Sequence, residues 1–209
     1  MKTSKCLLII ILMLCYVPVY ANTNIVINGG FESPDINSGL GYRILGPDII
    51  GWTSNDLIEI QDYTMFTPYD GSQYMELAVY SNVTISQSLA TNPNELYTLS
   101  FAFAGRPDTS VLTNGLNVFW GGAQLNPFTI IANPETEPGW TVYSYYDLIP
   151  TGSATLLQFQ GGMASDQFGS YIDGVSVTSN AIAPEPISSI LFVTGGTLLA
   201  GRRFIRRQA

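Results

Sequence analysis

Carboxylates are the side chains with which residues 22–180 could do chemistry. Of the sixteen aspartates and glutamates in the chain, fifteen lie in this range and only Glu185 lies outside it. Glycoside hydrolysis needs two carboxylates at a set separation, but among fifteen acids some pair is inevitable, so their presence alone does not indicate it. The chain has no histidine, and residues 22–180 have no lysine or cysteine. These absences exclude Ser-His-Asp, Cys-His, Ser-Lys and Schiff-base catalysis, and zinc bound by histidine.

The charge of residues 22–180 limits the partners that this part of the chain can bind. Against fifteen acids stand only Arg43 and Arg106, which gives a net charge of −13. Such a surface repels phosphate backbones and argues against nucleic-acid binding. It also repels anionic polysaccharides unless a divalent cation intervenes, and it suits Ca²⁺, which takes oxygen ligands. Both cysteines, Cys6 and Cys15, precede this range, so it has no disulfide.

The sequence predicts that β-strands position these acids. Apolar side chains alternate with polar ones, as at Ile85 and Leu89, or share one face of a run, as at Leu99, Phe101 and Phe103. One buried face and one wet face are typical of antiparallel sheets in a sandwich. Turns rich in Gly, Pro and Asn separate the runs, and no helical stripe occurs outside the two ends. The sequence predicts an all-β fold: a single jelly-roll β-sandwich, flanked by an N-terminal signal helix and a short hydrophobic C-terminal helix.

The amino-terminal end predicts export. Lys2 and Lys5 precede an apolar run over residues 6–17, and small residues suited to cleavage end at Ala21. This pattern is typical of a secretory signal peptide over residues 1–21. The mature domain is then expected to span residues 22–180, which is long enough for one domain with a real core.

The carboxyl-terminal segment, residues 181–209, predicts a temporary membrane anchor. A Pro-Glu-Pro triplet is followed by an apolar run of fifteen residues, 187–201, and then by four arginines. A bilayer core needs about 20 apolar residues as a helix, so this run is a marginal span, and the arginines would stay on the cytoplasmic side. A permanent single-span anchor is the alternative. The candidate sorting residues are Pro184, Glu185, Pro186, Arg202 and Arg203.

These three parts, in this order, resemble the PEP-CTERM sorting tail of Gram-negative bacteria. The resemblance implies that an exosortase recognises and processes the tail during export by the Sec route. It also implies a transient anchor in the inner membrane and a final location at the cell surface or in the extracellular matrix. Organisms with such tails make extracellular polysaccharide, which becomes the expected partner.

A second resemblance lies within the domain, where seven short motifs follow one another in order. They are Asn28–Glu32, Gly51-Trp52, Leu57–Ile60, Tyr69–Leu77, Ile85-Ser86-Gln87, Tyr97–Phe101 and Tyr171–Val177. The ordered set resembles DUF642-type domains and their relatives among galactose-binding-like jelly rolls, and it covers nearly the whole domain. The resemblance implies a jelly roll with carbohydrate-binding relatives.

The same resemblance implies a structural calcium ion, with Glu32 and Asp173 as its ligands. The residues themselves agree, because Asp173 lies inside an apolar strand and a buried carboxylate without a partner is costly. Backbone carbonyls could complete the shell. The alternative is that both acids cap turns at the surface.

Candidate ligand-binding residues combine aromatic faces with polar groups, because a sugar ring has an apolar face and hydroxyl edges. Trp120 precedes two glycines and could lie at a loop mouth or in the core. Tyr145 could belong to an aromatic platform or to the core. Arg106 and Asp108 follow a long strand and lie on a loop, where binding residues are often found. An isolated arginine among acids pairs with a carboxylate, either one of its own or one of a ligand.

Three functions are compatible with these features. The first is a non-catalytic protein of the cell surface or matrix that binds exopolysaccharide. The second is a purely structural matrix or adhesion protein, and the third is a glycosidase or lyase acting on the same polymer. A small jelly roll without an appended catalytic domain argues against the enzyme, so the sequence predicts the first.

Overall fold

Thirteen strands form within the residues that the computed structural model describes, 23–37, 40–63 and 66–180. In chain order they are β1 (Tyr42–Leu45), β2 (Asp48–Ile49), β3 (Trp52–Ser54), β4 (Ile58–Asp62), β5 (Gln73–Glu76), β6 (Thr84–Ala90), β7 (Tyr97–Ala104), β8 (Gly115–Trp120), β9 (Ala123–Gln124), β10 (Ile130–Ile131), β11 (Thr141–Leu148), β12 (Ala154–Gly162) and β13 (Tyr171–Ser179). One 3₁₀ turn, Val111–Thr113, lies between β7 and β8.

The strands pair into two antiparallel sheets. In the described residues, one sheet has the order β1-β4-β5-β13-β7-β11, and the other has the order β10-β8-β12-β6-β3-β2 with β9 beside β8. From β5 to β8, and again from β11 to β13, each successive strand belongs to the opposite sheet, as strands do in a jelly roll. The predicted all-β sandwich is therefore confirmed.

Strand alternation places the core between the two sheets. In β6, Ile85 and Leu89 are buried whereas Ser88 is exposed, and in β7, Leu99 is buried whereas Ser100 is half-buried. Trp52 in β3 is buried in this core, with its ring centroid 6.1 Å from that of Phe159 in β12 of the same sheet. Burying an aromatic side chain of this kind contributes about 1.5–3 kcal/mol.

The beginning and the end of the domain meet. Asn24 forms a bridge with Thr178, and its Oδ1 accepts hydrogen bonds from the backbone N–H of Val26 at 3.0 Å and of Val177 at 2.9 Å. A side chain at Gly29 would lie 2.0 Å from the carbonyl oxygen of Val175, so only glycine fits this approach. The motifs that open and close the domain are thus in direct contact.

Residues 22–181 form one compact unit. Within the described ranges, no helix is long and apolar enough to cross a membrane. The predicted signal helix and hydrophobic tail helix fall in residues 1–21 and 181–209, which lie outside the described residues.

Candidate ligand-binding site

A pocket of about 290 Å³ opens where β7 ends and β13 begins. Its lining combines a guanidinium, a carboxylate, a hydroxyl and aromatic rings, and it comprises Arg106, Pro107, Asp108, Thr109, Phe168 and Tyr171. Register pairing places Tyr171 opposite Ala104, so the loop after β7 and the loop before β13 necessarily leave the sheet side by side. These two loops form the walls of the pocket.

The loop after β7 is held by a buried asparagine. The side-chain Oδ1 of Asn114 accepts a hydrogen bond from the backbone N–H of Arg106 at 2.8 Å. Its Nδ2 donates to the hydroxyl of Thr109 and to the carbonyl of Ser110, each at 2.9 Å. Because all these bonds converge on one fully buried side chain, the loop has a defined shape.

Arg106 joins the pocket to the sheet beneath it. Its guanidinium carbon lies 4.6 Å from the ring centroid of Phe168, which is a cation–π arrangement. Its Nη1 forms an ion pair with the carboxylate of Glu76. The side chain of Arg106 is 16% exposed and that of Glu76 is fully buried. The sequence left open whether this arginine pairs with a carboxylate of the protein or with one of a ligand. In the structure its partner is a carboxylate of the protein.

Glu76 belongs to a buried polar network on the outer face of the first sheet. Strand register places Glu59 directly opposite Glu76. The amide Nε2 of Gln61 donates to Glu59 at 2.9 Å and also to Glu76, while the hydroxyl of Tyr74 donates to Oε1 of Gln61 at 2.9 Å. The backbone N–H of Gly169 donates to Glu76 at 2.8 Å. Two carboxylates, one amide and one guanidinium are therefore bonded in one cluster.

The two glutamates of this network cannot both ionise without cost. Burial and, after it, the nearby charge of Glu59 raise the pKa of Glu76 to about 8, although the guanidinium of Arg106 opposes both effects. Burial also raises the pKa of Glu59. At neutral pH the pair is best described as sharing one proton, because like charges this close disfavour each other.

Aromatic side chains cover the network next to the pocket. Phe66 packs on Tyr74 and Trp140, with ring centroids 6.3 and 5.6 Å away, and Tyr74 lies 4.8 Å from Tyr171. The indole N–H of Trp140 donates to the carbonyl of Thr67 at 2.7 Å. These rings form a small second core on the outer face of the sheet, which keeps water away from the acids.

The structure brings two of the four predicted ligand-binding residues together, Arg106 and Asp108. Trp120 lies in the core instead: it is 5% exposed, and its indole N–H donates to the carbonyl of Ile149 at 2.7 Å. Tyr145 is half-buried against the same core, with its ring 6.4 Å from that of Phe101. Both side chains fall on the inner face of their strands, so they do not line the pocket.

Sequence reasoning missed two residues: Phe168, which forms the aromatic wall of the pocket, and Glu76, which lies beneath the pocket and bonds to Arg106. Phe168 is 45% exposed on the loop before β13, and an isolated aromatic residue in a polar loop was the available signal. Glu76 lies in a buried run of β5, so the argument that an acid in an apolar strand needs a partner applied to it as well.

The predicted calcium ligands, Glu32 and Asp173, both accept hydrogen bonds from the loop that leads into β5. Oε1 of Glu32 accepts from the backbone N–H of Ser72 at 2.8 Å and of Gln73 at 2.9 Å, and Oε2 accepts from the Ser72 hydroxyl at 2.6 Å. Oδ2 of Asp173 accepts from the N–H of Tyr69 and of Asp70, both at 2.9 Å. A side chain at Gly71 would lie 2.4 Å from Oε1 of Glu32.

These bonds account for both acids without a metal. Each carboxylate accepts three hydrogen bonds, the third for Asp173 coming from the N–H of Gly174 at 2.7 Å, which leaves few lone pairs for a cation. No group of three or more acidic, histidine or cysteine side chains in the described residues is arranged to hold a metal ion. Burial raises the pKa of Asp173 to about 7, although its three N–H donors lower it.

Comparison with known proteins identifies one family and a set of solved structures. A family model described as "Protein of unknown function (DUF642)" matches residues 24–178. No curated protein sequence matches the chain. A carbohydrate-binding module, TmCBM61, solved in complex with β-1,4-galactotriose has 15% identity and a TM-score of 0.48, covering 76% of this chain and 99% of its own. A native family 35 carbohydrate-binding module from Clostridium thermocellum has 16% identity and a TM-score of 0.43, covering 65% of this chain and 96% of its own.

Proposed function

The chain belongs to the DUF642 family, through residues 24–178, and we propose that its β-sandwich binds carbohydrate without chemically changing it. The observation that carries the proposal is the pocket at the end of β7. It sets the ring of Phe168 beside the guanidinium of Arg106, and the polar residues Asp108 and Thr109 also line it. An apolar ring face together with planar hydrogen-bonding groups is what a sugar requires of a binding site.

The placement of the acids favours binding over catalysis. Glu59 and Glu76 are a close carboxylate pair, but neither lines the pocket, and the side chain of Arg106 lies between them and its interior. Glycoside hydrolysis needs both carboxylates to flank the bond that is cleaved. A sugar in this pocket would meet a single carboxylate, that of Asp108.

Removing the aromatic wall should abolish most of the binding. We expect Phe168→Ala to weaken glycan binding by on the order of tenfold, since an aromatic contact contributes about 0.5–1.5 kcal/mol beyond its buried area. The measurement is a glycan array, followed by titration calorimetry with the best ligand. Phe128→Ala is the matched control, because Phe128 is 83% exposed and does not line the pocket. If the wild-type domain bound no glycan on the array, a purely structural matrix role would replace this proposal.

We further propose that the protein is exported by the Sec route and processed by an exosortase, becoming part of the cell surface or extracellular matrix. The signal-peptide pattern of residues 1–21 and the sorting residues Pro184, Glu185, Pro186, Arg202 and Arg203 support this. In that account residues 187–201 anchor the protein only briefly in the inner membrane.

Processing should remove the tail from the mature protein. Mass spectrometry of cell-surface protein is expected to detect peptides of residues 22–180 and none from Ile187 onward. Detection of Arg206 in surface protein would instead establish a permanent anchor.

A further inference from the structure

We propose that the pocket takes uncharged sugars and disfavours acidic ones such as uronates, and that the buried pair Glu59 and Glu76 determines this specificity through Arg106. The inference rests on the proposed carbohydrate binding and assigns its substrate class. It concerns residues that do not touch the ligand, so the two acids are positioning and charge-setting residues.

Among the residues that the structure describes, Arg106 is the only cation that lines this site and could attract an acidic sugar. It is the one basic residue among those that line the pocket. Residues 22–180 contain no lysine or histidine, and their other arginine, Arg43, lies on the edge strand β1. A uronate carboxylate entering the pocket could therefore pair with nothing positive except this guanidinium.

The positive charge of the Arg106 guanidinium is already compensated by carboxylates of the protein. Glu76 bonds it directly, and Glu59 stands opposite Glu76 in the same buried network. With one proton shared between the two acids, the cluster of two carboxylates and one guanidinium has no net charge; with none, it is negative. Because the pair is buried, salt and water screen it little, so it stays matched when a ligand arrives. Asp108, at the pocket wall, adds a further negative charge.

The guanidinium keeps donors for a neutral ligand. Within the described residues its one bonded partner is Glu76, through Nη1, whereas a guanidinium carries five N–H groups. Sugar hydroxyls accept such hydrogen bonds and need no opposite charge. Asp108 can in turn accept from hydroxyls, which an ionised uronate carboxylate cannot offer at that position.

The first test uses the wild-type protein and pairs of probes that differ only at one carbon: galactose and galacturonate conjugates, and glucose and glucuronate conjugates. We expect the neutral member of at least one pair to bind at least tenfold more tightly. Equal or tighter binding of the acidic member would overturn the inference while leaving carbohydrate binding in place. Binding of no glycan in the wider array would instead remove the proposed function itself.

The second test removes the matching charges. In Glu59→Gln/Glu76→Gln the Arg106 charge has no buried partner, so binding of the acidic probe should strengthen by about tenfold relative to the neutral one. The control is Glu95→Gln, which removes one negative charge, as the double substitution does when the buried pair shares one proton. Glu95 lies two residues before Tyr97, which is at the opposite end of the eight-residue strand β7, roughly 24 Å from Ala104. An equal shift in both variants, or none in the first, would show that the buried pair does not set specificity.

A third measurement needs no variant and remains decisive if the double substitution prevents folding. Ionic strength is raised while the wild-type protein is titrated with each probe. If the inference is right, neutral binding stays constant and acidic binding stays the same or improves as salt screens repulsion. A fall in acidic binding with salt would mean that Arg106 attracts the acid, and would overturn the inference.

Discussion

Replacing Arg106 with alanine should lower the free energy of unfolding by about 3–5 kcal/mol at pH 9, because it leaves Glu76 buried without its charged partner. The cost should be much smaller at pH 5.5. The pKa of Glu76, raised by burial to about 8, lies above its usual value of 4.5, so the folded protein holds a proton that the unfolded chain releases. Stability therefore falls as pH rises from about 4.5 to about 8.

Removing Arg106 extends this loss, because the guanidinium opposes the rise in the pKa of Glu76. The variant should keep losing stability above pH 8, where the wild type has levelled off. Urea denaturation at pH 5.5 and pH 9 measures both effects. Arg43→Ala, on the exposed edge strand β1, should stay within about 0.5 kcal/mol of wild type at either pH. A loss that is equal at both values would contradict the buried-acid account.

Asp173→Asn should cost about 3 kcal/mol at pH 8. The carboxylate is fully buried and accepts N–H groups from Tyr69, Asp70 and Gly174. An amide presents its own N–H₂ group where an acceptor is required, so at least one backbone donor loses its partner, and each such loss costs about 1–3 kcal/mol. Asp48→Asn, on the exposed strand β2, is the matched control and should change stability by less than about 0.5 kcal/mol. An equal effect of both substitutions would mean that these hydrogen bonds contribute nothing.

Thermal melts of the wild type and of Asp173→Asn, each in calcium and in chelator, test the calcium prediction. The hydrogen bonds of Glu32 and Asp173 do not themselves require the ion. If these two acids hold calcium, the ion at about 100 times its dissociation constant should stabilise the wild type by roughly 2.7 kcal/mol. It should stabilise Asp173→Asn much less. Wild-type protein that melts identically in calcium and in chelator has no such site, and the two carboxylates then act only as loop clamps.

Strand alternation made the sandwich predictable, because runs such as the one containing Leu99, Phe101 and Phe103 leave little doubt about their buried face. Alternation was less informative for runs that carry aromatic residues on both faces. Trp120 and Tyr145 have core-facing positions in β8 and β11, yet a period of two does not tell which of two aromatic faces is the inner one.

The pocket was predictable only in part, because its floor depends on strand register. Arg106 stood out as an isolated cation after a long strand, and Asp108 stood out beside it. The opposition of Glu59 and Glu76 arises from the pairing of β4 with β5, and their residue numbers do not reveal it. Phe168 reaches Arg106 across two loops that have no periodic pattern at all.

The bridge between Asn24 and Thr178 also has a mechanical meaning. Tension carried by the polypeptide through these two residues is applied at adjacent points of the fold. It would load the bridge and the bonds of the Asn24 side chain first, at the end of β13, while the other long strands of the two sheets stay outside the line of force. Tension along the polypeptide would therefore act on the junction of the two ends of the domain and would not be transmitted through the body of the sandwich.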